Sequence, residues 1–235
     1  MDRSALPDIR SVRYEIKYIL NPSHVFEFER WLLSRPHVNR SFPSRTINSV
    51  YFDTAALRAA QDNIKGIANR KKFRVRWYGS LADSVSGLVL EVKIKTGRLG
   101  TKHSATLTQP LNDLLAMSAQ QIEVAFHNDD AVRDLIPHEV ALLPVLYIGY
   151  SRQYYEAPSG IRITIDSRLE FSDLFHSHKN SLRNRAGYDK TIVEFKFPVN
   201  AKDDAAELMA SLPFYPVRCS KYLLGLSLTG NAVYI

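Results

Sequence analysis

Charged side chains occupy every second position in several short segments of the chain, and most of these side chains are basic. The segments are Arg13–Lys17, Lys72–Arg76, Glu91–Lys95, Arg162–Arg168 and Glu194–Lys196, followed by the single Lys221. Arginine offers a planar fork that matches phosphate oxygens, and lysine offers a compact positive charge. These residue types at this spacing therefore indicate a site for a phosphate-rich anion.

Alternation with a period of two is typical of β-strands and places every charge of a strand on one face. The charged face predicted in this way carries eleven basic side chains against four acidic ones. The basic residues are Arg13, Lys17, Lys72, Arg74, Arg76, Lys93, Lys95, Arg162, Arg168, Lys196 and Lys221, and the acidic ones are Glu15, Glu91, Asp166 and Glu194. Because like charges repel, such a face needs anions or open water to relieve it.

Two architectures accommodate strands with one charged and one apolar face. A sandwich would leave the charges solvated on its outside, whereas a barrel wide enough for a ligand would turn them inward. The recurrence of Arg and Lys, with a carboxylate in nearly every strand, favours the barrel. Carboxylates among cations suit a divalent metal that accompanies phosphates. The chemistry implied is a linear polyanion and a metal held along a tunnel.

The composition is that of a basic globular protein: 235 residues, 45% hydrophobic, with a net charge of +7. Such a charge suits nucleic acid, an acidic membrane or a phosphate ligand. We expect no nucleic acid, because no known binding motif is visible and the aromatic residues alternate opposite to the basic ones, whereas base stacking needs both on one surface. The single Cys219 excludes an internal disulfide. With no apolar leader and no apolar segment of about 18 residues, the sequence predicts a cytoplasmic protein without a membrane segment.

The chain predicts an α+β fold dominated by antiparallel sheet, in a single domain spanning residues 1–235. Strands are predicted over about 11–20, 48–53, 70–79, 87–96, 145–156, 161–171 and 191–198. Helices are predicted over about 24–34, 55–63, 111–127, 203–212 and 220–228. Residues 83–87 and 158–160 are predicted to be turns between strands. Ser23 and Thr54 are predicted helix caps, and Asp53 a turn or cap residue rather than a ligand.

Eight segments along the chain resemble the motifs of one known protein family. They are Arg13–Tyr18, Ser49–Thr54, Lys72–Gly79, Leu90–Lys95, Ser151–Glu156, Arg162–Asp166, Val193–Phe197 and Ser220–Tyr222. In this order they resemble the catalytic domain of the vacuolar transporter chaperone (VTC) family. That domain belongs to the triphosphate tunnel metalloenzymes, which are related to the CYTH phosphatases. The resemblance covers nearly the whole chain.

The resemblance implies an antiparallel β-barrel of about eight strands, with helices packed outside, that binds ATP, triphosphate or polyphosphate with Mg²⁺ or Mn²⁺. On this basis Glu194 would bind the metal, helped by Glu15 and Glu91. The predicted phosphate-binding residues are Lys17, Lys72, Arg74, Arg76, Lys93, Lys95, Arg152, Arg162, Lys196, Ser220 and Lys221. The residues predicted to be central to catalysis are Lys17, Arg74, Arg76 and Glu194.

The resemblance also implies an activity, since the best-known members polymerise polyphosphate from ATP. We expect a phosphotransferase of this kind; the alternatives are an inorganic triphosphatase or polyphosphatase, and a polyphosphate-binding module without turnover. Arg13 stands where the tunnel phosphatases typically have the first Glu of Glu-x-Glu-x-Lys, which favours the polymerase. The SPX sensing domain and the membrane domain of the eukaryotic polymerases are not visible. A membrane-bound partner and the oligomeric state stay open.

Overall fold

The computed structural model of the chain describes residues 13–80, 87–97, 99–128, 133, 136, 140–176, 182 and 184–231. Of the turn predicted at residues 83–87, only Gly87 belongs to the described part. Within that part, no helix is both long and apolar enough to cross a membrane.

Nine strands of the described residues form one antiparallel sheet. They are β1 (Arg13–Leu20), β2 (Asn39–Asp53), β3 (Asn69–Tyr78), β4 (Leu88–Thr96), β5 (Leu99–Leu107), β6 (Leu143–Ala157), β7 (Ile161–Asp173), β8 (Ala186–Tyr188) and β9 (Thr191–Pro198). The strand order is β1-β9-β7-β6-β2-β3-β4-β5, and the short β8 pairs with β7. The predicted antiparallel α+β architecture is confirmed.

The described residues contain six α-helices, four between strands and two after β9. They are α1 (Pro22–Leu33), α2 (Arg58–Ile64), α3 (Leu111–Ala116), α4 (Ala119–His127), α5 (Lys202–Met209) and α6 (Lys221–Leu228). A short 3₁₀ turn over Pro158–Gly160 joins β6 to β7, as predicted. In this turn Ser159 and Gly160 both have positive φ, which the glycine adopts without steric cost.

The sheet curls until its two edge strands meet. Strands β1 and β5 lie at opposite ends of the strand order, yet their Cα atoms approach within 8 Å. The Glu15 carboxylate on β1 reaches the Lys93 ammonium on β4 at 3.3 Å, which is a contact between nearly opposite ends of the sheet. These side chains come from the charged face, so the charged face is the concave one. No ladder pairs β1 with β5 among the described residues, and the barrel is therefore closed by proximity and side chains.

Two apolar cores cover the convex face of the sheet. Phe73, Val75 and Trp77 of β3 are buried in a cluster that includes residues of α3 and α4. On the other side, Val193 and Phe195 of β9 are buried with residues of α1 and α5. Burial of this apolar surface is the main favourable term in folding. It also explains the alternation in the sequence, because each strand presents its apolar side to these helices and its charged side inward.

A third apolar cluster lies on the concave face, where α6 packs against the sheet. Leu146 of β6 and Phe171 of β7 are buried with Tyr222 and Leu226 of α6. Gly225 permits this close approach: a methyl group there would lie 2.5 Å from Phe171 Cδ1 and 2.6 Å from Leu146 Cδ2. Part of the concave face is thus filled by a helix, and the charged side chains occupy the rest.

The structure corrects several predicted elements. The helix predicted over about 111–127 is two helices, because Met117 has an extended ψ of 146° and Ser118 caps α4 through a capping box with Gln121. Strand β5 was not predicted, and β2 begins at Asn39 rather than near residue 48. Helix α1 begins at Pro22, after the N-cap Asn21, so Ser23 is not its cap.

The predicted role of Asp53 as a cap is confirmed. Its carboxylate accepts hydrogen bonds from the backbone N–H groups of Ala59 at 2.9 Å and Ala60 at 3.1 Å, at the start of α2. Thr54 Oγ1 accepts a further bond from the N–H of Arg58 at 3.1 Å. The positive charge of a helix N-terminus favours an anion at this position.

Candidate phosphate-binding site

The first group of charges on the concave face is built around two buried carboxylates, Glu194 of β9 and Asp166 of β7. Lys221 Nζ, at the start of α6, lies 2.7 Å from an oxygen of each. Lys196 Nζ donates to Glu194 Oε2 at 2.7 Å, and Arg152 Nε donates to Asp166 Oδ1 at 2.5 Å. We call this group the β9 cluster; it consists of Lys17, Arg152, Asp166, Glu194, Lys196 and Lys221.

The sheet register assembles the β9 cluster. Glu194 pairs with Lys17 across the β1–β9 ladder and with Thr164 across the β7–β9 ladder, and Arg152 pairs with Asp166 between β6 and β7. Directly paired residues share a face of the sheet. Three ladders therefore bring charges that are distant in sequence to within hydrogen-bonding range.

The carboxylates of the β9 cluster stay ionised because the cations outweigh the cost of burial. Burial alone would raise the pKa of Glu194, but Lys196, Lys221 and Lys17 hold that pKa well below its usual range. For Asp166, burial is likewise outweighed by Lys221 and Arg152, so its pKa is lowered. Four cations against two carboxylates leave the cluster with excess positive charge.

The second group of charges surrounds Glu91 of β4, whose side chain is 1% exposed. Its oxygens lie 2.6 Å from Arg74 Nη2, 3.1 Å from Arg76 Nη2 and 2.9 Å from Lys102 Nζ. Burial would raise the pKa of Glu91, but Arg74 and Arg76 prevail and lower it to about 2. We call Arg74, Arg76, Glu91 and Lys102 the β4 cluster, in which three cations face one carboxylate.

Glu15 of β1 lies between the two clusters. Its oxygens contact Lys17 Nζ at 2.9 Å and Lys93 Nζ at 3.3 Å. Burial opposes ionisation of Glu15, but Lys17, Lys196 and Lys93 lower its pKa far below the usual range. The concave face therefore holds one continuous field of charges rather than two separate sites.

Lys72 of β3 differs from the cations of the two clusters because it forms no ion pair with a described carboxylate. Its Nζ donates to Ser220 Oγ at 3.1 Å and lies 5.6 Å from the centre of the Tyr222 ring. Burial lowers the pKa of Lys72 to about 7, and the neighbouring cations Lys93 and Lys17 add to the shift. An anion in this position would remove that electrostatic cost.

A chain of aromatic contacts ties α6 to the cations of β3. The Tyr222 and Tyr51 rings stack with centres 5.0 Å apart, and the Tyr222 hydroxyl donates to Asp53 Oδ2 at 2.6 Å. Arg74 Nη1 in turn donates to the Tyr51 hydroxyl at 3.2 Å. Ser220 Oγ caps α6 by accepting from the N–H of Leu223. These contacts fix the position of the first turn of α6 beside the charges.

The structure brings most of the predicted phosphate-binding residues to this face, with two at its margin. Arg162 is exposed, and its ladder partners are Glu156 and Lys196. Lys95 is half-buried; burial, then Arg70 and Lys93, lowers its pKa. The ligand roles of all these residues stay predictions.

The three predicted metal-binding carboxylates do not form one group. The described part of the chain contains no cluster of three or more Asp, Glu, His or Cys side chains that could hold a metal ion. Glu15 and Glu194 both lie within 4 Å of Lys17 Nζ, at 2.9 and 3.6 Å, whereas Glu91 belongs to the β4 cluster. A metal held by protein atoms alone does not fit this arrangement.

The sequence prediction missed two charged residues as members of the site. Asp166 was recognised as a charge on its strand but not as a site residue, although it shares Lys221 with Glu194. The sequence feature that could have identified Asp166 was its position two residues after Thr164, on the charged face of the alternating segment Arg162–Arg168. Lys102 was missed because β5 was not predicted.

Comparison with solved structures shows the fold. The chain superimposes on HpAC1 from Hippeastrum, a candidate adenylyl cyclase described as having a dominant triphosphatase activity, with a TM-score of 0.55, 13% identity and coverage of 93% of this chain and 96% of that one. A Pyrococcus horikoshii OT3 protein gives a TM-score of 0.49, 14% identity and coverage of 92% and 98%. The curated proteins yielded no significant match by sequence.

A family comparison covers almost the same part of the chain as the described structure. The model of the VTC domain matches residues 12–229 of the 235. This span includes both charge clusters and every strand of the curled sheet. The chain therefore belongs to the VTC domain family.

Proposed function

We propose that the concave face binds ATP, triphosphate or polyphosphate with a divalent cation and transfers the terminal phosphoryl group of ATP to the end of a growing polyphosphate chain, with release of ADP. The observation that carries the proposal is the convergence of cations from six strands and one helix on this face, in excess of the carboxylates that neutralise them. A self-repelling field of this kind is stabilised by an extended anion. Phosphoryl transfer depends largely on positioning and charge neutralisation, which such a surface supplies.

An incoming phosphate chain would compete for cations that the carboxylates now hold. Arg74 and Arg76 offer guanidinium forks to phosphate oxygens in the β4 cluster, while Lys196 and Lys221 offer ammonium groups in the β9 cluster. Bonds to phosphate are charge-assisted like the present ion pairs, so the exchange costs little. Lys72 needs no exchange, because it has no carboxylate partner among the described residues.

The residues fit a metal that is shared with the substrate. Mg²⁺ in phosphate-transfer sites is bound by one or two carboxylates together with substrate phosphates. Glu194 and Glu15, which both contact Lys17 Nζ, would supply these carboxylates, and Glu91 would be a helper beside Arg74. A bound divalent metal would neutralise charge on the phosphate oxygens. Mg²⁺ and Mn²⁺ are the ions we expect.

The carboxylates of the charged face favour a phosphate acceptor over water, whereas Lys72, whose pKa is about 7, is a candidate base for a hydrolase. Hydrolysis is helped by a general base whose pKa lies near the working pH. The pKa of Glu91 is about 2, and those of Glu15 and Glu194 lie well below their usual range, so each is a weak base. A hydrolase remains the second candidate, since HpAC1, which shares the fold, is described as a triphosphatase.

One experiment separates the candidate activities. Purified protein is incubated with ATP and Mn²⁺, or with tripolyphosphate and Mn²⁺, and the products are followed on a polyphosphate-stained gel and by a free-phosphate assay. Long chains from ATP support the polymerase, and free phosphate alone supports the hydrolase. If neither forms but tripolyphosphate raises the melting temperature, the protein is a binding module. A Lys17→Ala variant should lose the product; product made equally by that variant would not come from this face.

A further inference from the structure

We propose that an aromatic rim at the edge of the charged face stacks the base of a nucleoside triphosphate whose phosphates lie among the two clusters. The aromatic rim consists of Phe42, Arg45, Tyr78 and Tyr154. The inference rests on the proposed function, because it takes the charged face as the triphosphate site. It adds to that function a surface that would recognise the base of the nucleotide, and the residues that form this surface.

Strand geometry places the rim on the same face as the phosphate-binding candidates. Tyr78 follows Arg76 by two residues on β3, and Tyr154 follows Arg152 by two on β6, so each shares the face of its arginine. Phe42 pairs directly with Tyr154 in the β2–β6 ladder and thus lies on that face as well. The rim is therefore continuous with the charge field.

The rim residues contact one another. The Phe42 and Tyr154 rings meet edge to face with centres 5.9 Å apart. The Arg45 guanidinium carbon lies 5.9 Å from the centre of the Phe42 ring and 5.4 Å from that of Tyr78. A guanidinium between two rings presents a flat, partly cationic surface, which is the kind of surface on which nucleobases stack.

Arg76 links the rim directly to the phosphate site. Its Nη2 lies 2.8 Å from the Tyr78 hydroxyl, to which it donates, and 3.1 Å from Glu91 Oε1 in the β4 cluster. A triphosphate bound at Arg76 would therefore have its nucleoside end within reach of the rim.

The rim has surface available for a ligand. Phe42 is 54% exposed and Tyr78 41% exposed, although most aromatic side chains of the sheet are buried in the cores. Arg45 is also exposed and has no ion pair with a described carboxylate.

The rim reverses one expectation drawn from the sequence. On most strands aromatic and basic residues do occupy opposite faces, as Phe73 and Arg74 show. At the ends of β2, β3 and β6 they share a face. Stacking alone tolerates different bases, so we expect ATP and GTP to bind similarly.

The test compares two ligands on matched variants. Phe42→Ala removes an exposed stacking surface, and Phe26→Ala, at a 69% exposed phenylalanine of α1, is the control. Calorimetry at fixed Mn²⁺ gives the dissociation constants for ATP and tripolyphosphate. Phe42→Ala should weaken ATP binding about 5- to 100-fold and leave tripolyphosphate unchanged. Phe42→Trp keeps an aromatic stacking surface and should bind ATP about as tightly as the wild-type protein does. Phe26→Ala should change the dissociation constant of neither ligand.

A spectroscopic signature tests stacking independently of affinity. The fluorescence of 2-aminopurine riboside triphosphate should be quenched when it binds the wild-type protein and much less quenched on Phe42→Ala. Arg45→Gln is a second variant that leaves all the rings in place. It should weaken the binding of ATP relative to that of tripolyphosphate, by a smaller factor than Phe42→Ala does.

Each remaining outcome overturns the inference. If Phe42→Ala weakens both ligands equally, or neither, Phe42 does not recognise the base. If the wild-type protein binds tripolyphosphate but the variants bind ATP normally, the inference fails while the proposed function stands. If the wild-type protein binds neither ligand, both fail together.

Discussion

The charged part of the concave face and the part covered by α6 are held together in different ways. In the charged part, buried carboxylates such as Glu194 are surrounded by cations that outnumber them. In the other part, Leu146, Phe171 and Leu226 are buried in apolar contact. The charged part has an excess of positive charge that an anionic ligand can neutralise. The part covered by α6 is already filled by packed apolar side chains. Substitutions in the two parts should therefore separate ligand binding from stability.

Glu194 should show the largest effect, because its buried carboxylate contacts Lys17, Lys196 and Lys221. Glu194→Gln leaves Lys196, Lys221 and Lys17 facing one another, with Asp166 and Glu15 as the nearby carboxylates. Breaking a buried ion pair by removing one partner costs about 3–5 kcal/mol, and we expect a loss near the lower end because Asp166 remains. Urea unfolding at neutral pH measures the loss of unfolding free energy.

Glu91→Gln is the matched control for this prediction. Glu91 is equally buried, but its partner Lys102 is 51% exposed and can turn to water when the carboxylate charge is lost. The loss of unfolding free energy should therefore be smaller than for Glu194→Gln. An equal or larger loss would contradict this prediction, because the β4 cluster would then contribute at least as much to stability as the β9 cluster.

The strands that carry the charged side chains could be predicted from the sequence better than the closure of the sheet into a barrel. Alternation identified β1, β3, β4, β7 and β9 because charges and apolar residues take opposite faces there. It failed for β5, whose residues Leu99–Leu107 are mostly small or polar and give no alternation. It also failed for the first half of β2, where Pro43 lies in a stretch of register shifts.

The candidate site could likewise be predicted only in part. The identity of the cations could be predicted because each lies on a recognisable strand. Their partners could not, because contacts such as Glu15 with Lys93 depend on how far the sheet curls. The position of α6 on the concave face was not predicted either, since the helix is apolar on several sides. Its capping residue Ser220 and its Gly225 were visible in the sequence, but their neighbours were not.

Gly225→Ala should affect the part covered by α6 and spare the charges. The added methyl group would meet Phe171 and Leu146 at 2.5 and 2.6 Å, and overpacking of this kind costs about 1–3 kcal/mol. The dissociation constant for tripolyphosphate should stay close to that of the wild type. Gly187→Ala, at a glycine with nothing within 4 Å of an added methyl, is the control and should change neither quantity. If Gly225→Ala lost tripolyphosphate binding but kept its stability, the part covered by α6 would serve ligand binding rather than stability, contrary to this account.

Lys72 should give the charged part a pH dependence that the apolar part lacks. Because its pKa is about 7, Lys72 is increasingly neutral in the free protein above that pH and must take up a proton to bind an anion. Its contribution to tripolyphosphate affinity should fall by up to about tenfold per pH unit above pH 7. Lys72→Arg keeps the charge, so the affinity of this variant should fall less steeply. Parallel pH profiles for the two proteins would show that Lys72 does not meet the phosphate.

Titration of tripolyphosphate onto Arg74→Ala/Arg76→Ala by calorimetry tests the central claim most directly. Each guanidinium contributes charge-assisted bonds of about 1.5–3 kcal/mol, so the double variant should bind at least about 100-fold more weakly than the wild-type protein. The control Arg30→Ala/Arg58→Ala removes two exposed arginines from α1 and α2 and should bind like the wild type. If the Arg74→Ala/Arg76→Ala protein is folded and binds with wild-type affinity, the concave face is not where condensed phosphate binds.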